Sequence, residues 1–182
     1  MSSQGDDLSE KVATIKSTIT TYPDFPKKGI LFYDIMPILQ NPDVFQSTLD
    51  VLSAKLNSFG PIDVIVALES RGFLFGPTLA LQHKLPFITI RKKGKLPGPT
   101  QKLSYKLEYG EDTIEIQEGS IKNGSKAVII DDLLATGGTL EASIKLIKNC
   151  GGEVVCSMVI IELADLHGKD KVDSPFYSIL RV

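Results

Sequence analysis

Two adjacent carboxylates, Asp131 and Asp132, stand between an apolar β-branched run and a turn of small residues. The run, Val128-Ile129-Ile130, reads as a buried strand. The turn, Ala135, Thr136, Gly137, Gly138 and Thr139, opens onto Leu140, Ile144 and Ile147, an apolar stripe at helical spacing. Gly137 and Gly138 let successive backbone N–H groups converge on a phosphate, and the helix N-terminus adds its partial positive charge. The carboxylates would repel that phosphate. They suit neighbouring hydroxyls, or a metal that bridges to a second phosphate group. A lone acidic pair or a lone glycine pair is an ordinary βα turn. The full order of strand, acids, small-residue turn and helix describes instead a site for a phosphorylated sugar.

The elements that must position this site follow from hydrophobic periodicity. Leu8, Val12, Ile15 and Ile19 mark one face of an N-terminal helix, which Tyr22-Pro23 should end. Residues 24–35 carry prolines and a glycine ahead of an apolar cluster and read as a shaped loop. Asn41-Pro42 is an N-cap followed by proline at the first helical position, and Phe45, Leu49, Leu52 and Leu56 give that helix a buried face. Residues 62–68 form a near-continuous apolar strand, the pattern of a parallel sheet covered on both sides. Residues 73–82 look helical, 87–90 and 154–161 are further strands, and a last short strand falls at 177–180. Residues 96–102, with two prolines and a glycine, should be a mobile loop. Residues 104–107 and 113–116 alternate like a small hairpin. Strands alternating with helices imply an α/β domain with a mostly parallel sheet, which binds ligands beyond the carboxyl ends of its strands. Glu69-Ser70-Arg71, Arg91 to Lys95, Asp131-Asp132 and Glu162-Leu163 all fall at such ends.

Bulk properties narrow the function class. At 182 residues the simplest reading is a single domain, 1–182. A net charge of −2 argues against general nucleic-acid binding. No apolar run approaches the ~20 residues a membrane helix needs. The polar, acidic first ten residues do not resemble a signal or transit peptide. Cys150 and Cys156 form no C-x-x-C pair, and His83 and His167 are the only histidines, so a zinc site is not expected. A cytoplasmic protein in a reducing compartment is the expectation.

The stretch 128–139 resembles the phosphoribosyl-pyrophosphate (PRPP) signature of type I phosphoribosyltransferases, a hydrophobic strand followed by D-D-x-x-A-T-G-G-T. Three further segments are similar to the adenine phosphoribosyltransferase family. They are Glu69-Ser70-Arg71-Gly72-Phe73-Leu74-Phe75-Gly76-Pro77, Arg91-Lys92-Lys93-Gly94-Lys95-Leu96-Pro97-Gly98 and Tyr105-Lys106-Leu107-Glu108-Tyr109-Gly110. The stretch from Phe25-Pro26 to Asp34-Ile35 is similar as well, and the resemblance runs from about Tyr22 to the C-terminus.

The resemblance implies the type I fold, a mostly parallel five-stranded sheet flanked by helices, with a small hood (about 22–40) and a flexible lid (about 94–118). It implies the reaction adenine plus PRPP to AMP plus pyrophosphate, with Mg²⁺, in purine salvage, and usually a homodimer. Carried over by motif, Ala135, Thr136, Gly137, Gly138 and Thr139 would hold the 5′-phosphate, and Asp131 and Asp132 the ribose hydroxyls and charge. Ser70, Arg71, Arg91 and Lys95 would bind pyrophosphate, with Arg71 also counted catalytic. A non-proline cis peptide is expected at Glu69–Ser70. No dedicated metal cage is implied; Mg²⁺ would be held mainly by PRPP, with Asp131 or Asp132 available to it.

The nucleobase would lie between Phe32 and Leu163, its edge read by backbone groups at Leu31 and Tyr33. Tyr33 replaces an arginine that many members carry. Glu108 would be the general acid/base, relaying the proton released as N9 attacks; without the resemblance it reads as a surface glutamate beside Tyr109. Two other readings share the signature. One is a phosphoribosyltransferase for another base; the other is a non-catalytic regulator that senses PRPP.

Overall fold

The computed structural model describes residues 2–106 and 110–182, which form two compact units divided after Asn57. The first contains α1 (Ser2–Thr18), β1 (Thr20–Pro23), β2 (Leu31–Asp34), α2 (Met36–Gln40) and α3 (Pro42–Leu56). Ile15, within the expected apolar stripe of α1, is fully buried, and Lys11 of the same helix bonds Asp50 of α3 at 2.9 Å. The helix stops at Thr18, earlier than the sequence suggested. The β-branched run Thr18-Ile19-Thr20-Thr21 explains this, because such residues fit an extended strand better than a helix.

That early stop supplies a partner for residues read as pure loop. β1 pairs antiparallel with β2, Tyr22 opposite Phe32. The connection between them is shaped as expected. The Phe25–Pro26 peptide is cis, and Asp24, at φ 59°, accepts a 2.7 Å bond from the Gly29 N–H. Asn41 caps α3 by accepting from the N–H groups of Asp43 and Val44, with Pro42 at the first turn. The buried face of α3 is rotated from the one expected. Leu49, Leu52 and Leu56 are buried, but with Val44, Thr48 and Val51, while Phe45 is only half-buried.

The second unit is built on a seven-stranded sheet. Its strands are β3 (Val64–Leu68), β4 (Phe87–Lys92), β5 (Thr100–Lys106), β6 (Glu111–Gln117), β7 (Lys126–Leu134), β8 (Glu153–Glu162) and β9 (Phe176–Arg181). They are ordered β5-β6-β4-β3-β7-β8-β9. The five strands from β4 to β9 in this order are mutually parallel, and β6 and β5 extend the edge as an antiparallel hairpin. The five-stranded core is therefore present, widened by a hairpin. That hairpin is longer than its alternation suggested. Thr100 pairs with Gln117, so residues 100–102, read as loop, are strand; cross-strand bonding overrides the local Pro/Gly signal.

Every residue of β3 is buried. Successive strand side chains point to opposite faces. Val64, Val66 and Leu68 join the cluster that includes Leu140, Ile144 and Ile147 of α5 (Gly138–Asn149). On the other face Ala67 meets α4 (Gly76–His83), where a Cβ on Gly76 would lie 2.8 Å from the Ala67 Cβ and from the Phe87 ring. The helical stretch expected at 73–82 is thus a 3₁₀ turn, Arg71–Leu74, followed by this shorter helix.

Candidate active site

The acidic pair is not beyond its strand but within it. β7 stays paired to β8 through Leu134, whereas its pairing with β3 ends at Ala67 opposite Ile130. Past that point β3 turns away, and Asp131 and Asp132 lose their neighbour on that side. The chain leaving β3 passes through the cis Glu69–Ser70 peptide into the Arg71–Leu74 turn. Gly72 lets this turn press on β7, since a Cβ there would stand 2.6 Å from the Ile130 carbonyl oxygen. Arg71 is thereby delivered to Asp132, Nε to Oδ2 at 2.7 Å.

The two aspartates differ electrostatically. Burial, and next the adjacent Asp132 charge, push the Asp131 carboxyl well above the usual carboxylate range. Burial also raises Asp132, but the Arg71 guanidinium opposes it. The backbone N–H of Asp132 donates to Asp131 Oδ1 at 2.9 Å. Among the described residues no three His, Cys, Asp or Glu side chains gather to hold a metal alone. Two carboxylates at a strand end do fit Mg²⁺ that keeps most of its coordination on substrate phosphates.

The turn after β7 borders a cavity of about 110 Å³ lined by Asp131, residues 133–140 and Val159. Gly137, at φ 81°, precedes α5, and no side chain caps that helix. The first-turn N–H groups of a helix have no intrahelical acceptor, so they are available to an anion. Ala135, Thr136, Gly137, Gly138 and Thr139 all line this cavity. Gly168 has no counterpart among the residues expected from sequence. It lies between β8 and β9, and a Cβ on it would stand 2.0 Å from the Ala135 carbonyl oxygen. A Cβ on Gly137 would meet the Gly168 oxygen at 2.3 Å. The turn is therefore braced backbone against backbone. The only hint in sequence was a glycine at a distance of 31 positions from its partner, which no local pattern links.

A second cavity, about 260 Å³, adjoins through Thr139 and is lined by Glu69, Arg91, Lys92, Tyr105 and Asp112 among others. Arg91 donates from Nε and Nη2 to Glu69 (3.2 and 3.1 Å) and from Nη1 to the Lys95 carbonyl (3.2 Å). The Arg91 hydrogen bonding is the main reason the Glu69 carboxyl titrates below its ordinary range. Lys95 is exposed. Tyr105 of β5 shares a 3.0 Å hydroxyl contact with Thr139, tying the hairpin to the turn after β7. Leu163 is half-buried, its N–H donating to the Leu134 carbonyl at 2.9 Å. Leu31, Phe32 and Tyr33 belong to the first unit, where Phe32 packs edge-on against Phe25 at 5.0 Å. Glu108, with Leu107 and Tyr109, lies outside the described residues.

Two outcomes follow from this geometry. Asp131→Asn keeps the acceptor for the Asp132 N–H and removes a charge the fold disfavours. Because the native pKa lies above the unfolded value of ~3.9, the penalty is absent at lower pH and grows as pH rises through the native pKa. Asp131→Asn should raise Tm at neutral pH and leave it unchanged near pH 3, as read by thermal denaturation at both. Gly168→Ala should displace the phosphate turn and weaken binding of ribose 5-phosphate by about tenfold or more, roughly 1.4 kcal/mol, in calorimetric titration.

Comparison with known proteins agrees with this geometry. The family model described as "Phosphoribosyl transferase domain" matches residues 37–182. The chain is similar to adenine phosphoribosyltransferase of Caenorhabditis elegans, 52% identical over 87% of this chain and 86% of the relative. It is also similar to that of Gluconobacter oxydans, 49% identical over 91% and 92%. Among solved structures, adenine phosphoribosyltransferase of Saccharomyces cerevisiae, complexed with an imino-altritol bisphosphate and adenine, superposes with a TM-score of 0.92. It is 42% identical and covers 94% of this chain and 99% of its own. A strand that outruns its neighbour and carries an acidic pair, an uncapped helix behind it and these likenesses lead to one conclusion: the chain belongs to the adenine phosphoribosyltransferases, within the type I phosphoribosyltransferase family.

Proposed function

We propose that this protein transfers the 5-phosphoribosyl group of PRPP to N9 of adenine, releasing AMP and pyrophosphate, as a step of purine salvage. The observation that carries the reading is the cavity of about 110 Å³ formed by Asp131 and the uncapped start of α5. It offers the first-turn N–H groups of α5 to a phosphate and the Asp131 carboxylate to the adjoining ribose. The likeness to relatives named for adenine supports the choice of base.

In this reading the Ala135–Thr139 turn holds the 5′-phosphate and anchors the sugar, so that C1′ is presented toward the second cavity. Asp131 and Asp132 accept from the ribose 2′- and 3′-hydroxyls and favour the positive charge that develops on the ring as the bond to pyrophosphate loosens. Mg²⁺ bound by PRPP, with Asp131 or Asp132 available to it, would neutralise charge on the departing pyrophosphate. Arg71, Arg91, Lys95 and backbone at Ser70 receive that leaving group. Phe32 and Leu163 hold the base by its faces, and main-chain groups at Leu31 and Tyr33 read its edge. Adenine offers a donor at C6 and an acceptor at N1, which 6-oxopurines reverse; a mismatched base leaves buried polar groups unpaired. Glu108 takes up the proton lost as N9 attacks.

Residues 94–118 act as a lid that excludes water from the cationic ribose. The contact of Tyr105 with Thr139 supports the lid assignment by tying this segment to the phosphate turn. No helix among the described residues is long and apolar enough to cross a membrane, and the proposal places a homodimer in the cytosol.

Incubation of the purified protein with PRPP, Mg²⁺ and each nucleobase in turn tests the reading. Adenine should give AMP with a preference over hypoxanthine and guanine of at least ~10³-fold, in line with hydrogen-bond-based discrimination. Efficient turnover of another base would make this a phosphoribosyltransferase of different specificity. PRPP binding with no turnover of any base would make it a sensor. Glu108→Gln keeps size and hydrogen bonding but cannot take a proton. It should lower kcat by ~10²–10⁴-fold with little change in KM for adenine. An unchanged kcat would remove Glu108 from proton transfer.

A further inference from the structure

Glu115, on β6, is the most deeply enclosed carboxylate that the reaction scheme does not use, with 1% of its surface exposed. Its neighbours Ile114 and Ile116 face the core beneath α5, so Glu115 points to the opposite side of the hairpin. A carboxylate in such a place is costly unless its oxygens are satisfied. Those that satisfy it all come from one segment. Oε1 accepts from the backbone N–H groups of Lys95 and Leu96, both at 3.0 Å, and Oε2 from the Thr100 hydroxyl at 3.2 Å. Lys102 Nζ lies 3.9 Å from Oε2.

The register makes the arrangement specific. Glu115 sits directly opposite Arg91 on β4 and opposite Lys102 on β5, and residues so paired share a face. Lys95 is held from both ends. Its N–H reaches Glu115 as well as the Lys92 carbonyl, and its own carbonyl accepts from Arg91, which Glu69 grips. Burial alone would raise the Glu115 carboxyl, but the donors of Leu96, Lys95, Thr100 and Gly94 outweigh it and hold the group below its usual range, hence charged.

We propose that Glu115 is a positioning residue for pyrophosphate. It fixes the backbone of the 94–100 segment so that the exposed Lys95 side chain is presented to the anion. The inference rests on the reading above that Lys95 binds pyrophosphate. Glu115 never touches substrate. It acts through Lys95, and a side chain serving only stability would not separate one substrate from the other.

Steady-state kinetics with PRPP and adenine varied separately, plus product inhibition by inorganic pyrophosphate, test this on the full chain. Glu115→Ala should raise KM for PRPP and weaken pyrophosphate inhibition by about tenfold or more, with KM for adenine changing less than about threefold. Glu115→Gln keeps an acceptor oxygen for the Lys95 and Leu96 N–H groups and should restore most of the PRPP affinity. In a Lys95→Ala background, Glu115→Ala should add less than about twofold, because its route of action is already gone. Should Glu115→Ala not fold, Glu115→Asp carries the test. It keeps the charge but is one methylene too short to reach those N–H groups, and should give the same PRPP-selective loss. Equal loss for both substrates, or full additivity with Lys95→Ala, would overturn the proposal. Unaltered PRPP and pyrophosphate affinity in Lys95→Ala alone would instead refute Lys95 as an anion ligand, whatever Glu115 does.

Discussion

An interior strand of a parallel sheet ordinarily has a bonded neighbour on each side, which leaves its backbone no room for a ligand. In this protein β3 turns away after Leu68 while β7 continues, paired with β8 alone, to Leu134. The site depends on that mismatch in length. It opens one edge of β7 where Asp131 and Asp132 stand, yet keeps the other edge bonded, so the carboxylates are held on rigid backbone. The Arg71 turn then packs into the space through Gly72. One change of direction thus creates both the gap and the cation that partly fills it.

Charge is distributed around this gap in matched pairs. Arg71 meets Asp132, Arg91 meets Glu69, and Glu115 meets the N–H groups of the Lys95 segment. Before a polyanion arrives, the guanidinium groups therefore have partners that set their orientation and limit their mutual repulsion. Asp131 is the exception. Its carboxyl is destabilised in its charged form by burial and by Asp132. Holding a carboxyl where its charged form is disfavoured lowers stability as pH rises. The start of α5 adds the opposite sign close by, since Gly137 offers no side chain to cap it.

The connections between strands are as constrained as the strands. Gly137 and Gly168 approach so closely that neither tolerates a Cβ, which welds the turn after β7 to the β8–β9 connection. Tyr105 links the same turn to the hairpin at the sheet edge. In the first unit a comparable economy operates at smaller scale. Asp24 and a cis proline shape the connection, and β1 and β2 present Phe32 beside Phe25.

Much of this was determined by local sequence. Val128-Ile129-Ile130 could only be a buried strand. Asn41-Pro42 could only begin a helix, and Leu140, Ile144 and Ile147 had to face a core, because periodicity and capping are properties of a few consecutive residues. The 135–139 turn was legible for the same reason: its shape is set by neighbouring small residues and glycines. What lay beyond local sequence were relations between distant segments. That 31–34 is strand depends on a partner at 20–23, and that 100–102 is strand depends on 115–117. The rotation of the α3 face depends on what packs against it. Gly168 and Glu115 gave no local signal, since a glycine is required only by the Ala135 carbonyl above it, and a glutamate is a core residue only once a loop turns its N–H groups inward. Only the tertiary structure decided those, because backbone contact and burial arise between segments that the chain brings together on folding.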